Sequence, residues 1–357
     1  MAGTLPEIII SADSHVSEES KLWAERLPAK FRDVDLKLPD RRANVGDGRF
    51  AEKAGGYDPN ERLKEMAIDG VSAEVLYPTL GLRLFGLHEA DLQEACFRVY
   101  NDWISEYCSV APDRLVGIGC VSAYNIENAV AEIERCKKND LRGALVWQAP
   151  HPDLPLYSQH YDPLWAAAQD LDMPINFHIL TGHNYAMNRE GRSREEGIRG
   201  SVNIKTYEAI TALYDLIFYG VLDRYPRMKI VFVENEVGWI PFFLQQWDYY
   251  YRRNRETPRS NVAPLTIDSL PSEYFARQVY STFFDDAAGG HNFDWWGVDN
   301  CMWSNDYPHP NSTWPHSREV IARDLGHLSA EDQAKLVRDN VAKLYGLKVG
   351  SPLAGVS

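Results

Sequence analysis

The sequence predicts an α/β protein built as a distorted (β/α)8 barrel, with a long insertion after the first strand and a closing C-terminal helix. Three observations predict it. Eight short β-rich runs alternate with amphipathic helical stretches along the 357 residues. Several of these runs are apolar almost throughout, as strands covered on both faces must be. Four of the eight end in His, Asp or Glu, at the end of the strand where a barrel places its chemistry. A single domain over residues 1–357 accommodates all eight units. A doubly wound open sheet is the competing architecture, but no Gly-x-Gly-x-x-Gly follows the first run, which weakens its nucleotide-binding form.

Taken in order, IIISAD (8–13) is the first strand, and a polar excursion over 17–66 follows it. SAEVLYP (72–78) is the second, with a helical stretch at 89–110. LVGIGCVS (115–122) is the third; Asn125 then opens a helix over 125–138, with Ile126, Ala129, Val130 and Ile133 at helical spacing. RGALVW (142–147) precedes a helix at 158–171, and PINFHI (174–179) precedes one at 203–223. Between those last two, residues 183–202 have the polar, Gly-punctuated composition of a mobile lid. Pro226 stops the helix before KIVFVEN (229–235), and a helix over 238–253 leads on to QVYSTFF (278–284) and CMWSND (301–306). Ala330 to Tyr345 is the closing helix, within a final segment 328–357 that ends in small residues.

Charge narrows the partners. With 37 Lys and Arg against 51 Asp and Glu, the formal charge is −14, so nucleic acid and anionic membrane, which need a basic face, are not expected. A small-molecule substrate remains, since a local pocket can be basic in an acidic protein. The five cysteines (Cys96, Cys108, Cys120, Cys136, Cys301) are odd in number and form no Cys-x-x-Cys pair. No disulfide framework or thiolate zinc site is expected, and a cytoplasmic location fits. The apolar run Ile8–Ile10 is too short for a signal peptide or a membrane span.

Chemistry gathers at the strand ends. The first strand closes on ADSH, the fifth on NFH, the sixth on VEN and the eighth on SNDYPH. Asp13 and His15, one residue apart, point to the same side of an extended strand. If that side is the barrel interior, both reach one metal ion, with His178 and Asp306 completing a mixed nitrogen and oxygen set and Glu234 adding a carboxylate. Each motif alone has a blander reading: a lone His at a strand end as a hydrogen-bonded group, Asn-Asp-Tyr-Pro as a turn. Their coincidence at one mouth is what points to a metal.

At this point the chain resembles the amidohydrolase-related family, the branch of the amidohydrolase superfamily that includes aminocarboxymuconate-semialdehyde decarboxylase. The resemblance rests on SADSHV, on GGYDPNERLKEMAIDGVSAEVLYPTLGL (55–82), on INFHI (175–179), on DRYPRMKIVFVENEVGWIP (223–241) and on WSNDYPHPNSTWP (303–315). It implies a divalent ion held by Asp13, His15, His178 and Asp306, with Asp306 assisting deprotonation of a bound water. Two departures matter. Asp13 stands where the more familiar strand-one motif has His, and strand four ends in VWQ, without the lysine that bridges two metals in some relatives. In the decarboxylase strand six supplies a His, and here Glu234 stands at the matching position.

These substitutions make the ligand set harder, favouring Mn or Fe over Zn. They also leave a bound water less acidic, so that a nearby general base gains importance. His183, Glu236, His291 and His309 lie close to strand ends; they are candidates for a second ion or, on the blander reading, for groups that orient the ligands. Tyr77, Trp147, Trp239, Trp303 and Tyr307 are candidates to wall a substrate pocket, ordinary packing being the alternative. Arg83 and His88 follow strand two, where they could face a substrate carboxylate.

The leading expectation is a metal-dependent hydrolase, with activated water attacking a carbonyl, Asp306 as base and Glu234 as ligand or proton donor. Non-oxidative decarboxylation of an aromatic or unsaturated acid is the first alternative. A dinuclear Fe or Mn oxygenase resembling the 2-aminoisobutyrate hydroxylase is the second. A homodimer is expected, or a hetero-oligomer with a related chain.

Overall fold

Apolar strands that pair only in parallel need helical crossovers, and the chain supplies them in turn. The computed structural model describes residues 5–19, 21–38, 53–183, 206–256 and 265–348. Nine parallel strands are assigned there: β1 (Ile10–His15), β2 (Ala73–Tyr77), β3 (Leu115–Gly117), β4 (Gly119–Cys120), β5 (Ala144–Val146), β6 (Ile175–His178), β7 (Ile230–Val233), β8 (Val279–Phe283) and β9 (Cys301–Trp303). Ladders run β1-β2-β3 and β4-β5-β6-β7-β8-β9. Every residue of every strand is buried, which is why the runs read as continuous apolar stretches rather than alternating ones.

The expected third strand, 115–122, is two strands. The chain changes partner at Ile118: its N–H donates to Leu76 O at 3.1 Å, whereas the N–H of Gly119 turns to Gly143 O at 3.0 Å. Glycine is required at this joint, because a β-carbon on residue 119 would meet Cys136 Sγ at 2.6 Å. The other seam closes outside any regular ladder. Asp306 N donates to Asp13 O at 3.0 Å and His15 N to Tyr307 O at 2.6 Å, tying β1 to the segment after β9. The result is a distorted (β/α)8 barrel. Regular pairing in the last strand stops at Trp303, short of the expected Asp306, which has left-handed backbone with φ of 54°.

The helices are α1 (Lys21–Arg26), α2 (Pro59–Asp69), α3 (Ala90–Cys108), α4 (Ile126–Lys138), α5 (Asp162–Asp170), α6 (Tyr207–Phe218), α7 (Val221–Arg224), α8 (Ile240–Glu256), α9 (Pro271–Gln278), α10 (Ala287–Asn292), α11 (Ser317–Leu325), α12 (Ala330–Ala334) and α13 (Asn340–Tyr345). Asn125 caps α4 as expected, its side chain accepting from Asn128 N. The excursion after β1 is not all irregular: Asp58 caps α2 by accepting from Asn60 N and Glu61 N, and Gly70 ends it at φ 72°. Two expected helices are interrupted. The one over 203–223 breaks into α6 and α7 at Gly220, φ 71°. The closing helix carries a π-helical turn, Lys335–Asp339, between α12 and α13. Residues 184–202 of the expected lid lie outside the described residues, as do 39–52 of the excursion and the tail from 349. Among the described residues no helix is long and apolar enough to cross a membrane, and all five cysteines are free and buried.

Candidate metal centre

A bulge in β1 lets three residues oppose two on β2, since Ser11 pairs with Glu74 and Ser14 already with Leu76. It leaves Asp13 and His15 both turned to the barrel axis, with His15 Nε2 3.6 Å from Asp13 Oδ1. From β6, His178 brings its Nε2 to 3.8 Å from the same oxygen. From the end of β7, Glu234 Oε2 stands 3.7 Å from His178 Nε2. The ligand-type atoms of Asp13, His15, His178 and Glu234 all lie within 4.8 Å of one another, and all four residues are buried.

Hydrogen bonds fix the tautomers of both rings. Nδ1 of His15 faces Pro78 O at 2.8 Å, and Nδ1 of His178 faces Ile179 O at 2.7 Å. A carbonyl only accepts, so each Nδ1 carries a proton and each neutral ring is bare at Nε2. Those two bare nitrogens stand 3.2 Å apart. Neither oxygen of the fully buried Asp13 carboxylate has a hydrogen-bond donor among the described residues. Two facing lone pairs beside an unsatisfied carboxylate call for a proton or a metal ion between them. The proton affinities say the same. Burial lowers that of His178, yet Asp13 and Glu234 more than offset it and hold the ring at about 9. For His15, burial and the nearby His309 and His178 hold the ring well below the ordinary value. The residues fit one divalent ion.

A second group adjoins the first: His15, Asp306 and His309 also converge within 4.8 Å. Asp306 Oδ1 lies 3.5 Å from His15 Nε2 and 2.9 Å from His309 Nδ1, and the His309 ring stacks on His15 at 4.0 Å. Thr79 Oγ1 donates to Val16 O at 2.6 Å, so it must accept from His309 Nε2, 3.1 Å away. That turns His309 Nδ1 to the Asp306 carboxylate, where a proton on the ring or a shared metal ion pairs the two. Burial holds the His309 imidazole below its ordinary proton affinity.

Backbone strain marks the same places. Glu234 and Asp306 take φ of 60° and 54°, a region that side-chain-bearing residues seldom occupy and that tertiary structure must impose. Here the imposing structure is a buried polar network beneath the site. Arg62 pairs with Glu74 at 2.5 Å and donates to His15 O at 2.7 Å. Asn305 Oδ1 accepts from Ser14 Oγ at 2.8 Å and Ser11 Oγ at 3.0 Å, while its Nδ2 donates to Glu74 Oε1 at 3.2 Å. Glu18 accepts from the N–H groups of Thr79, Leu80 and Gly81 and so shapes the loop that carries Pro78 and Thr79. Arg62, Thr79, Glu18 and Asn305 were not singled out by sequence reasoning. Their roles depend on contacts across the barrel that no spacing reveals.

Other expected residues go elsewhere. Exposed His291 sits on α10 with its ring 5.7 Å from that of His327, and belongs to neither converging group. Glu236, outside both groups as well, accepts from Phe284 N at 3.3 Å, bracing the end of β8. His183 stands on the rim against Tyr124, 2.7 Å away. Of the pocket candidates, Tyr77 lies in the barrel with its ring 5.5 Å from His178 and its hydroxyl on Asn176. Trp303 is buried in β9. Trp147 bonds Tyr161 Oη and Trp239 bonds Asn235 O. Tyr307 is turned away from the axis, its hydroxyl on Glu65 and its face under Arg62. Arg83 and His88 are exposed.

A family model described as Amidohydrolase matches residues 57–347. The chain belongs to the amidohydrolase family. The chain is 26% identical over 264 residues to the gamma-resorcylate decarboxylase of Polaromonas sp., covering 67% of this chain and 76% of that one. It superposes on the crystal structure of 5-carboxyvanillate decarboxylase from Sphingomonas paucimobilis with a TM-score of 0.71 at 22% identity, over 96% of this chain and 100% of the other. A similar match, TM-score 0.72 at 21% identity over 95% and 96%, is to the 5-carboxyvanillate decarboxylase of Novosphingobium aromaticivorans complexed with manganese and 4-hydroxy-3-methoxy-5-nitrobenzoic acid.

Proposed function

We propose that the protein is a metal-dependent, non-oxidative decarboxylase of a hydroxylated aromatic acid. The observation that carries the metal is the pair of bare imidazole nitrogens, His15 Nε2 and His178 Nε2, 3.2 Å apart beside the unsatisfied Asp13. Support for the reaction comes from the relatives, whose names are those of decarboxylases of aromatic acids. Hydrolysis, the leading expectation from sequence, is not the activity that the names of these three relatives give.

In this reading Asp13, His15, His178 and Asp306 hold the ion, with Glu234 as a further ligand or as proton carrier. A bound divalent ion supplies charge to anchor the substrate's oxygens and to draw electron density from the ring. Pro78 O and Ile179 O keep the two imidazoles in the ligating tautomer. His309, when protonated at Nδ1, pairs with Asp306 and holds it in place. As the ring–carboxylate bond breaks and carbon dioxide leaves, the ring carbon takes one proton, and buried Glu234, reaching His178 from the next strand, is positioned to deliver it.

A second reading is favoured by one observation, the convergence of His15, Asp306 and His309 within 4.8 Å of one another: a second ion there makes the centre dinuclear, as an Fe or Mn oxygenase requires. One assay separates the readings. Manganese-loaded protein given 2,6-dihydroxybenzoate or 5-carboxyvanillate is expected to release carbon dioxide without consuming oxygen. Oxygen uptake with two ions per chain, one of them iron, supports the oxygenase; no turnover of any hydroxybenzoate defeats the decarboxylase. We further propose a cytoplasmic homodimer, supported by the five reduced cysteines and by an exposed aromatic band across α6 and α8. Its rings link from Tyr157 through Tyr219, Tyr214, Trp247 and Phe243 to Phe242.

A further inference from the structure

Three more imidazoles collect on the rim of the barrel, apart from those at its axis. His183 follows β6, His151 follows β5, and His88 lies in the loop after β2. The His88 ring stacks on His183 with centroids 4.1 Å apart, and the His151 ring meets His183 edge-on at 4.2 Å. Tyr124, after β4, supports them from below, its ring edge-on to Trp147 at 4.8 Å.

Hydrogen bonds again settle where the protons are. Tyr124 Oη donates to Leu87 O at 3.0 Å, so its oxygen accepts from His183 Nδ1, 2.7 Å away. His88 Nε2 donates to His183 O at 3.0 Å. His151 Nδ1 accepts from Asp153 N at 3.0 Å. The neutral cluster therefore presents a bare His183 Nε2, a bare His88 Nδ1 and an N–H at His151 Nε2. Among the described residues the groups whose ligand atoms converge as a metal requires are the two at the barrel axis, and this trio is not one of them. Nor, among the described residues, does a buried carboxylate pair with it: Asp153, 3.9 Å from His151 Nδ1, is 90% exposed. Among the described residues the titratable groups touching His183 are thus His88, His151 and Tyr124, with Asp153 beyond. Burial, then His88 and His151, depress protonation of His183, and an anion set against the trio would reverse that balance.

We propose that His183, flanked by His88 and His151 and held by Tyr124, is a carboxylate-receiving site on the rim that takes an aromatic acid. Binding draws one proton from solvent onto His183 Nε2 and pairs it with the carboxylate; no covalent bond changes. His151 Nε2–H adds a donor, His88 stacks on the His183 ring and steadies it, and the rings of Trp147 and Tyr124 supply aromatic packing. The site extends beyond the metal centre and does not depend on which bond is broken there. In a protein of net charge −14, such a cluster supplies local attraction for an acidic substrate.

The test is histidine NMR on zinc-loaded protein, with His183 assigned by through-bond correlation and benzoate as probe. Saturating benzoate is expected to raise the titration midpoint of His183 by about one pH unit, which by linkage means about tenfold tighter binding to the protonated form. The shift should be lost in the surface variant His88→Gln/His151→Gln. Inorganic phosphate at the same concentration should produce less than half of it. An unmoved midpoint, a full shift in the double variant, or an equal response to phosphate overturns the proposal. Because the readout is binding, failure of the decarboxylation reading leaves the outcome intact.

Discussion

At the scale of single residues, the centre depends on what each neighbour forces on an imidazole. Pro78 O and Ile179 O leave His15 and His178 bare toward each other, and Asp13 supplies the charge. Asp13→Asn removes that charge while keeping the shape. It should weaken divalent-ion binding by at least about 100-fold, comparable to or beyond the loss of an outer hydrogen-bonding partner, as measured by chelator competition. Glu234→Gln should retain a metal ion on His15, His178 and Asp13 yet lower kcat by roughly 10²–10⁴-fold, the range for a positioned acid–base group; unchanged kcat would remove Glu234 from the reaction. Asp13, His15, His178 and Asp306 were legible in the sequence because each ends a predicted strand, where the fold puts chemistry. Glu234 was legible for the same reason. Thr79, which sets the His309 tautomer, was not, because a threonine in a loop carries no signal until the barrel closes around it.

At the scale of elements, β1 and the segment after β9 are locked by a buried charge pair rather than by a regular ladder. Arg62 on α2 and Glu74 on β2 are essentially inaccessible, and removing one partner strands the other. Arg62→Met should cost about 3–5 kcal/mol in urea unfolding, and Arg62→Met with Glu74→Met should recover much of it. If the single variant costs under 1 kcal/mol, the pair does not hold the seam. Strand positions were readable from continuous apolar runs, since each strand is covered on both faces. The split between β3 and β4 was not, because LVGIGCVS is uniformly apolar and only the approach of Cys136 to Gly119 shows why the chain bends there. Helices α9, α10 and α11 were missed for a different reason: at eight, six and nine residues they are too short to establish a period.

At the scale of the whole molecule, the outer face of α6 and α8 exposes Tyr214, Tyr219 and Phe242 at 41, 49 and 60%. With their half-buried neighbours they offer on the order of 500 Å² of aromatic surface, a large patch for a monomer and a substantial part of the ~800 Å² per partner of a standard interface. A second copy of the chain is the occupant we propose. Light scattering should find a dimer for the native protein and a monomer for Tyr214→Arg/Phe242→Glu; a native monomer would refute it. Asp215, on the same helix, is half-buried, and burial raises its carboxyl from 3.8 to about 6. A raised folded-state value means the contribution is present below pH ~4 and lost as pH rises through about 6. Asp215→Asn should therefore stabilise the protein at pH 8 by about 1 kcal/mol, the shift being discounted for solvent screening, and have no effect at pH 3.5. The central claim is that strand ends far apart in the sequence grip one divalent cation at the barrel axis. An anomalous-difference map from crystals of manganese-loaded protein tests it most directly. The account predicts a peak roughly 2.0–2.3 Å from His15 Nε2, His178 Nε2 and an Asp13 oxygen; a map with no peak between those three side chains, or with manganese bound only elsewhere, would contradict it.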